Sequence, residues 1–414
     1  MPGESFRFIH ASDFHLERPL GDLESLPSHL CDLMTQAPRR AVESVFEAAL
    51  SDHVDFVVLS GDLINPLAAG PYGMSLLLNG FESLQAKNKP IYWSGGIADD
   101  PDAWPESIEL PDNVTLFSKQ QTQVMPVERA GRTICRVVGR SSEGCLQLDI
   151  PSFQVDASSD LTIGVGYGDF CAADLTDGVI NYWALGGRHQ RESVEDSELR
   201  VAHYCGSTQG RSLQEEGHHG FSLIDVDGDQ NIRIQHQDTD EFRYCRIRFD
   251  QKEVAAVGSV ENLIGEKIYQ LQVDHGSRHL LIAWEVVCSD ANELGALGDL
   301  DKILEWARCE YGQGEPAAWS LSMTLTPPTE YPQEWLNEET ILGDFLRVAE
   351  KHYHDEKVPL DLTPLTEEHL SIRSPTASKL AEVSSPDRLE TLSNATKIGV
   401  ELLRGGKPDW VQNG

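Results

Sequence analysis

Two apolar runs, each emptying into a loop of metal-binding residue types, constrain this chain more than any other feature. The first, FRFIHA (6–11), is followed by SDFH, which places Asp13 and His15 two residues apart beyond a strand's carboxyl end. The second, DFVVLS (55–60), is followed by Gly61-Asp62. Short runs rich in β-branched and aromatic residues read as buried strands. Between them Val42, Val45, Phe46, Ala49 and Leu50 recur at helical spacing after Pro38, which suits a helix's first turn. Strand, helix, strand is a βαβ unit, and open α/β sheets place their ligands beyond the carboxyl ends of such strands. Asp-x-His there is half of a metal site; equally, an Asp after a strand often only opens a turn.

The pattern continues with a helix over 72–86 and a third strand, PIYWS (90–94), that opens into GGIADDPDAW. Strands are expected at 133–139, 161–167, 181–186, 201–205, 221–227 and 231–236, which gives two sheets packed face to face with helices outside. Near residue 243 the texture changes. Strands over 243–249, 268–273, 279–287 and 318–325, with helices over 253–267 and 299–311, make a βαββαβ module. A proline-rich linker (326–332), a helix over 333–353 and a polar stretch (358–386) follow. A last amphipathic helix runs from Ser385-Pro386 to Gly405-Gly406, with Leu389, Leu392, Ala395, Ile398 and Leu402 on one stripe. The domain boundaries expected are 1–240, 241–328 and 329–414.

At 414 residues the chain is long enough for two or three domains with well-buried cores. Its net charge of −34 argues against gripping nucleic acid unaided, since that needs a basic face to displace phosphate counterions. The acidic residues are spread along the chain, as on a solvated surface. No run approaches the about 18 apolar residues of a membrane span, and the start MPGESF lacks the basic and apolar regions of a leader, so a cytoplasmic location is expected. The eight cysteines show no CxxC spacing and read as reduced thiols. No GxxxxGK[ST] loop is present, so any ATP hydrolysis has to come from a partner.

Four stretches, ASDFH (11–15), DFVVLSGDLIN (55–65), NYWALGGRHQRE (181–192) and GSTQGRSLQEEGHHGFSLIDVD (206–227), resemble in order and spacing the calcineurin-like metallophosphoesterases, closest to the SbcD/YhaO-type DNA-repair exonuclease subunits. The resemblance implies a four-layer αββα metallophosphoesterase sandwich, then a small α/β capping domain and a helical C-terminal tail that docks on an SMC-like coiled-coil ATPase of the SbcC/YhaN type. Members of the family are often dimers and hold two metals, usually manganese.

Carried over by residue, Asp13 and His15 match the first motif, Asp62 the second, in the bridging position, and His189 the last histidine of Gly-His-x-His. These four resemble the ligands of the first metal, and two carboxylates with two imidazoles suit manganese, iron or zinc. The second site departs from the pattern. Ile97 and Ala98 stand where the family has the Asn and His of Gly-Asn-His-Asp, Tyr167 replaces a strand-end histidine, and Gly187 replaces the first histidine of Gly-His-x-His. Neither Ile97 nor Gly187 can ligate a cation, and Ala98 cannot donate a proton to a leaving oxygen. The resemblance therefore implies one ion, manganese first, no catalytic residue, and a pseudoenzyme subunit of a DNA-repair assembly that meets DNA only jointly with its ATPase. The alternative is an active metal-dependent phosphodiesterase or DNA exonuclease with an altered centre, in which Asp99, Asp100 or Asp169 supplies substitute carboxylates. Action on a small phosphoester ranks third. His218-His219 face opposite ways if on a strand, His203 reads as a sheet-face histidine, and His352 and His354 read as surface residues.

Overall fold

The computed structural model describes residues 4–21, 26–51, 53–153, 155–158, 160–170, 179–197, 200–287, 299–326, 331, 333–354 and 388–403. The polar stretch at 358–386, most of the linker at 326–332 and both expected ends of the last helix lie outside them. The chain forms two compact units, Met1–Ile247 with Glu261–Trp284 and Asp301–Met323, and Arg248–Val260 with Glu285–Leu300 and Thr324–Gly414.

The first unit is built on two six-stranded sheets. One has the order β12-β11-β1-β2-β3-β4, made of β1 (Phe6–Ala11), β2 (Phe56–Leu59), β3 (Ile91–Trp93), β4 (Val114–Leu116), β11 (Gly220–Val226) and β12 (Ile232–Asp238). The other runs β5-β6-β7-β8-β10-β9, from β5 (Gln123–Arg129), β6 (Arg132–Gly139), β7 (Thr162–Tyr167), β8 (Tyr182–Gly186), β9 (Glu192–Ser197) and β10 (Arg200–Tyr204). The inner strands β1, β2 and β3 are parallel, as are β7, β8 and β10. Strands β4 and β6 run parallel to their neighbours β3 and β7 as well, so each sheet delivers four carboxyl ends to one edge.

Both faces of the first sheet are buried, which is why its strands read as continuous apolar runs. Phe6 and Phe8 of β1, with Phe56, Val58 and Ile224, meet Val137, Ile163, Val165 and Ala184 of the second sheet. Ile9 and Ala11, one position on, point the other way, against Val42, Val45, Phe46, Leu77 and Phe81 of helices α1 (Ser28–Ala49) and α2 (Gly70–Gln85). The α/β sandwich expected from the sequence is thus present. On the outer face of the second sheet, Trp183, Leu185 and Tyr204 are covered by Leu148, Phe153 and Phe170 from loops.

Helix α1 corrects one expectation, because it begins at Ser28 and Pro38 lies inside it. Leu30, Met34 and Ala37 extend the buried stripe by three turns, and that burial outweighs the single backbone bond a proline removes. These residues pack against Phe242, Tyr244, Leu281, Trp319 and Leu321 of a third sheet, order β13-β14-β15, built from β13 (Phe242–Asp250), β14 (His279–Val287) and β15 (Ala318–Thr326). A second correction falls beside it: the strand expected over 268–273 is the end of helix α4 (Val260–His275). Leu263, Ile264 and Ile268 are buried while Tyr269 and Val273 are exposed, a helical face whose last turns mimic alternation. Three short edge-type strands, β4, β5 and β9, were not legible; Pro126 within β5 is tolerated because β5 lies at the sheet's edge.

The second unit contains α3 (Gln251–Val257), α6 (Gln333–Asn337), α7 (Ile341–His354) and α8 (Arg388–Leu403), with α5 (Leu300–Tyr311) beginning at its border. Trp335, Leu346 and Val400 form its small core. His352 and His354 fall on α7. No helix among the described residues is long and apolar enough to cross a membrane.

Two histidines are sealed between or within the sheets. His10 meets the hydroxyls of Tyr182 (2.9 Å) and Ser60 (2.8 Å), and His203 those of Ser193 (2.6 Å) and Ser222 (2.7 Å). Burial, and then the neighbouring His203, holds His10 well below the usual imidazole range, and burial, then Arg191, holds His203 at about 3. Both stay neutral in the fold while the unfolded chain takes up protons below about 6.5, so stability present above that pH is lost as pH falls towards 3. We expect each to remove about 2 kcal/mol between pH 7 and pH 5. Denaturant unfolding of the wild type and His203→Gln at both pH values checks this, and an equal loss in the two proteins would refute it.

Candidate metal centre

The loops after β1 and β2 run side by side. The amide of Asp13 donates to the Gly61 carbonyl (2.9 Å), that of His15 to Asp62 (3.0 Å) and that of Leu16 to Leu63 (3.2 Å). Asp13, His15 and Asp62 all have left-handed backbones, with φ of 53°, 43° and 53°. Such a conformation costs a non-glycine residue about 1–2 kcal/mol, and here it turns each side chain into the same space.

Into that space the β8 loop brings His189. Asp13, His15 and His189 each offer a ligand atom within 4.8 Å of one another, the one such group among the described residues. The two Nε2 atoms are 3.1 Å apart, and Asp13 Oδ1 lies 4.0 Å from His15 and 3.9 Å from His189. Asp62 stands alongside, its Oδ2 3.7 Å from His15 Nε2. Burial raises the Asp13 carboxyl, opposed by His189 and by the Ser12 hydroxyl, which donates at 2.5 Å.

Two glutamates that sequence reasoning missed complete the group. Glu17 accepts a hydrogen bond from His15 Nδ1 at 3.2 Å, and Glu215 one from His189 Nδ1 at 2.6 Å. Burial pushes both carboxyls up, but for Glu17 the bonds from His15 and the Asn65 amide, and for Glu215 the bond from His189, hold them below the usual value. The Glu215 bond is the largest influence on His189, whose imidazole it raises. Glu17 was within sight, two positions past His15; Glu215 gave no signal that separated it from Glu216 beside it.

The same two aspartates also accept hydrogens from residues at the departed motif positions. The Tyr167 hydroxyl donates to Asp62 Oδ2 (2.8 Å), the Ala98 amide to Asp62 Oδ1 (2.7 Å), and the Gly187 amide to both oxygens of Asp13 (3.2 Å each). Burial first, then Asp62, raises the Tyr167 phenol far above its ordinary value, so it stays a donor. Its ring lies against three glycines: a Cβ on Gly61, Gly96 or Gly187 would come within 2.7, 2.8 or 3.1 Å of it. Ile97 is 46 % exposed at the surface.

None of the three candidate substitute carboxylates reaches the centre. Asp99 is fully occupied by the amides of Asp62, Leu63 and Gly96 and the Trp93 indole, at 2.9, 3.0, 2.6 and 2.9 Å. Burial, then Asp62, raises its carboxyl to about 7 against the pull of those amides. Asp100 pairs with Lys119 and Asp169 with Arg188, each at 2.9 Å. Two other candidate histidines are engaged elsewhere: His218 bonds Asp238, while His219 turns inward to Ser207 and the Glu215 carbonyl, all at 2.9 Å. The turn after β10 passes beside the centre, with the Ser207 amide on the His189 carbonyl (2.9 Å) and the buried Arg211 guanidinium on that of Phe14 (2.5 Å).

The residues present fit one divalent cation. A separation of 3.1 Å between two Nε2 atoms is that of neighbouring imidazole donors on one ion. Four buried or nearly buried carboxylates, Asp13, Glu17, Asp62 and Glu215, face one buried guanidinium, Arg211, leaving negative charge for a cation to neutralise. When bound, such an ion supplies Lewis acidity and an acidified water.

No family model matches the chain. It is 24 % identical over 351 residues to the uncharacterized metallophosphoesterase YhaO of Bacillus subtilis, covering 81 % of this chain and 85 % of that protein. That similarity supports the metallophosphoesterase family. A dimetal phosphatase from Danio rerio overlays 55 % of this chain and 98 % of its own at 10 % identity, with a TM-score of 0.33.

Proposed function

We propose that this chain is a catalytically impaired, metallophosphoesterase-family subunit that holds one divalent cation, manganese first, on Asp13, His15 and His189 with Asp62 beside them. Its work is to bind an SMC-like coiled-coil ATPase in a DNA-repair nuclease-type assembly and to meet DNA jointly with it. The observation that supports the impaired reading is that positions 167, 98 and 187, where the resemblance calls for histidines, present instead a hydroxyl and two backbone amides that donate to Asp62 and Asp13. A backbone N–H has no lone pair to give a cation, and the alanine and glycine supply no side-chain ligand. The four motif stretches and the similarity to YhaO support the family; the net charge of −34 favours DNA contact through a partner. Docking on the ATPase is assigned to 329–414 and the capping role to 241–328.

The test is elemental mass spectrometry after manganese loading, with bis-p-nitrophenyl phosphate hydrolysis on the same samples and Asp13→Ala as control. One metal per chain, lost in Asp13→Ala, with turnover no higher than in that variant, is expected. Two metals with turnover, both lost in the variant, would instead establish an active phosphodiesterase.

A further inference from the structure

We propose that Glu17 and Glu215 are positioning residues that hold His15 and His189 ready for one divalent cation of the kind that accepts imidazole, and this rests on the one-ion reading above. Each glutamate uses one oxygen on a histidine and the other on a backbone amide: Glu17 Oε2 takes the Asn65 amide and Glu215 Oε2 that of Arg211, both at 3.0 Å. The carboxylates are therefore fixed by loops that follow β2 and β10, and do not hang on flexible stems. A continuous line runs from Asn65 through Glu17 and His15 to His189, Glu215 and Arg211.

The chemistry of that line fixes the imidazoles. An ionised carboxylate can only accept, so each Nδ1 carries the proton and each Nε2 presents its lone pair. Two lone pairs facing each other at 3.1 Å repel unless a cation or a shared proton lies between them. The outer carboxylates also make the rings stronger donors. A site with two such nitrogens favours manganese, iron or zinc over magnesium or calcium, which prefer oxygen. Arg211 adds support from outside, donating to the Phe14 and Gln209 carbonyls and thereby joining the His15 loop to the Glu215 loop.

The test measures Mn²⁺ and Zn²⁺ affinity of the full chain by competition with a fluorescent chelator, for wild type, Glu215→Ala, Glu215→Gln, Glu17→Ala and Asp13→Ala. Visible absorption of the Co²⁺ forms and melting of the metal-free proteins are recorded alongside. Glu215→Ala and Glu17→Ala are expected to bind about 10–100-fold more weakly with altered Co²⁺ bands. Glu215→Gln, whose amide oxygen still accepts from Nδ1 while its NH2 faces the Arg211 amide, is expected to bind more tightly than Glu215→Ala and less tightly than wild type. Unchanged affinity in both alanine variants, with binding lost in Asp13→Ala, would overturn the positioning role and leave the one-ion reading standing. A wild type that binds no ion would overturn both. If Glu215→Ala does not fold, Glu17→Ala and Glu215→Gln decide.

Discussion

Replacing Asp99 with alanine is expected to lower the unfolding free energy by at least about 4 kcal/mol. Its two oxygens accept four hydrogens, from the amides of Asp62, Leu63 and Gly96 and the Trp93 indole. Each buried donor left without a partner costs about 1–3 kcal/mol, and water entering the space recovers only part of the sum. Asparagine is expected to fall between. Oδ1 serves Asp62 and Gly96, and Oδ2 serves Leu63 and Trp93, so either amide orientation sets an NH2 group against two donors. Asp100→Ala is the control, because it removes only a partly exposed pair with Lys119 and one bond from the Asp102 amide, and a much smaller loss is expected. Chemical denaturation of the three variants checks the order, and an Asp99→Ala protein within about 1 kcal/mol of wild type would show that the loop is held by something else.

Gly186→Ala is the second large effect expected. A Cβ there would lie 1.8 Å from the Ser60 carbonyl oxygen and 3.2 Å from the Ser12 Cβ. The obstacle is backbone, at the point where the carboxyl ends of β8 and β2 touch, so no rotamer relieves it and the two sheets have to part. More than about 3 kcal/mol of stability should be lost. Gly131→Ala provides the contrast: its φ of 76° carries a backbone cost of about 1 kcal/mol, with no atom within 4 Å of the new Cβ. Similar unfolding midpoints for the two variants would mean that the sheets yield at this edge.

The sandwich was legible because strands buried on both faces leave short, largely apolar runs, as in FVVL, and their carboxyl ends announce the polar residues that follow. Pro38 misled because a local rule about first turns gave way to a long buried stripe, and the strand expected over 268–273 failed because the last turns of a helix with two exposed apolar residues alternate by accident. Asp13, His15 and His189 were readable as types at strand ends. That Tyr167 would donate a hydrogen bond to Asp62, 105 positions away, was not, since a departure from a motif says what is missing and not what fills the space. Glu215, 26 positions from the histidine it holds, was hidden for the same reason.

The seat of the Tyr167 ring on Gly61, Gly96 and Gly187 bears on which sequences are reachable from this one. Introducing a histidine at 187 starts its side chain 3.1 Å from the ring, while removing the ring alone empties that volume and strips Asp62 of a donor. A longer side chain at 98 starts beside a carboxylate that already accepts from the residue's own amide, while Ile97 lies exposed. A histidine at 187 and the ring at 167 therefore compete for one volume, and the two positions have to change together. Gly61, Gly96, Tyr167 and Gly187 form one coupled unit, in which the residue at any member limits what the other three can be.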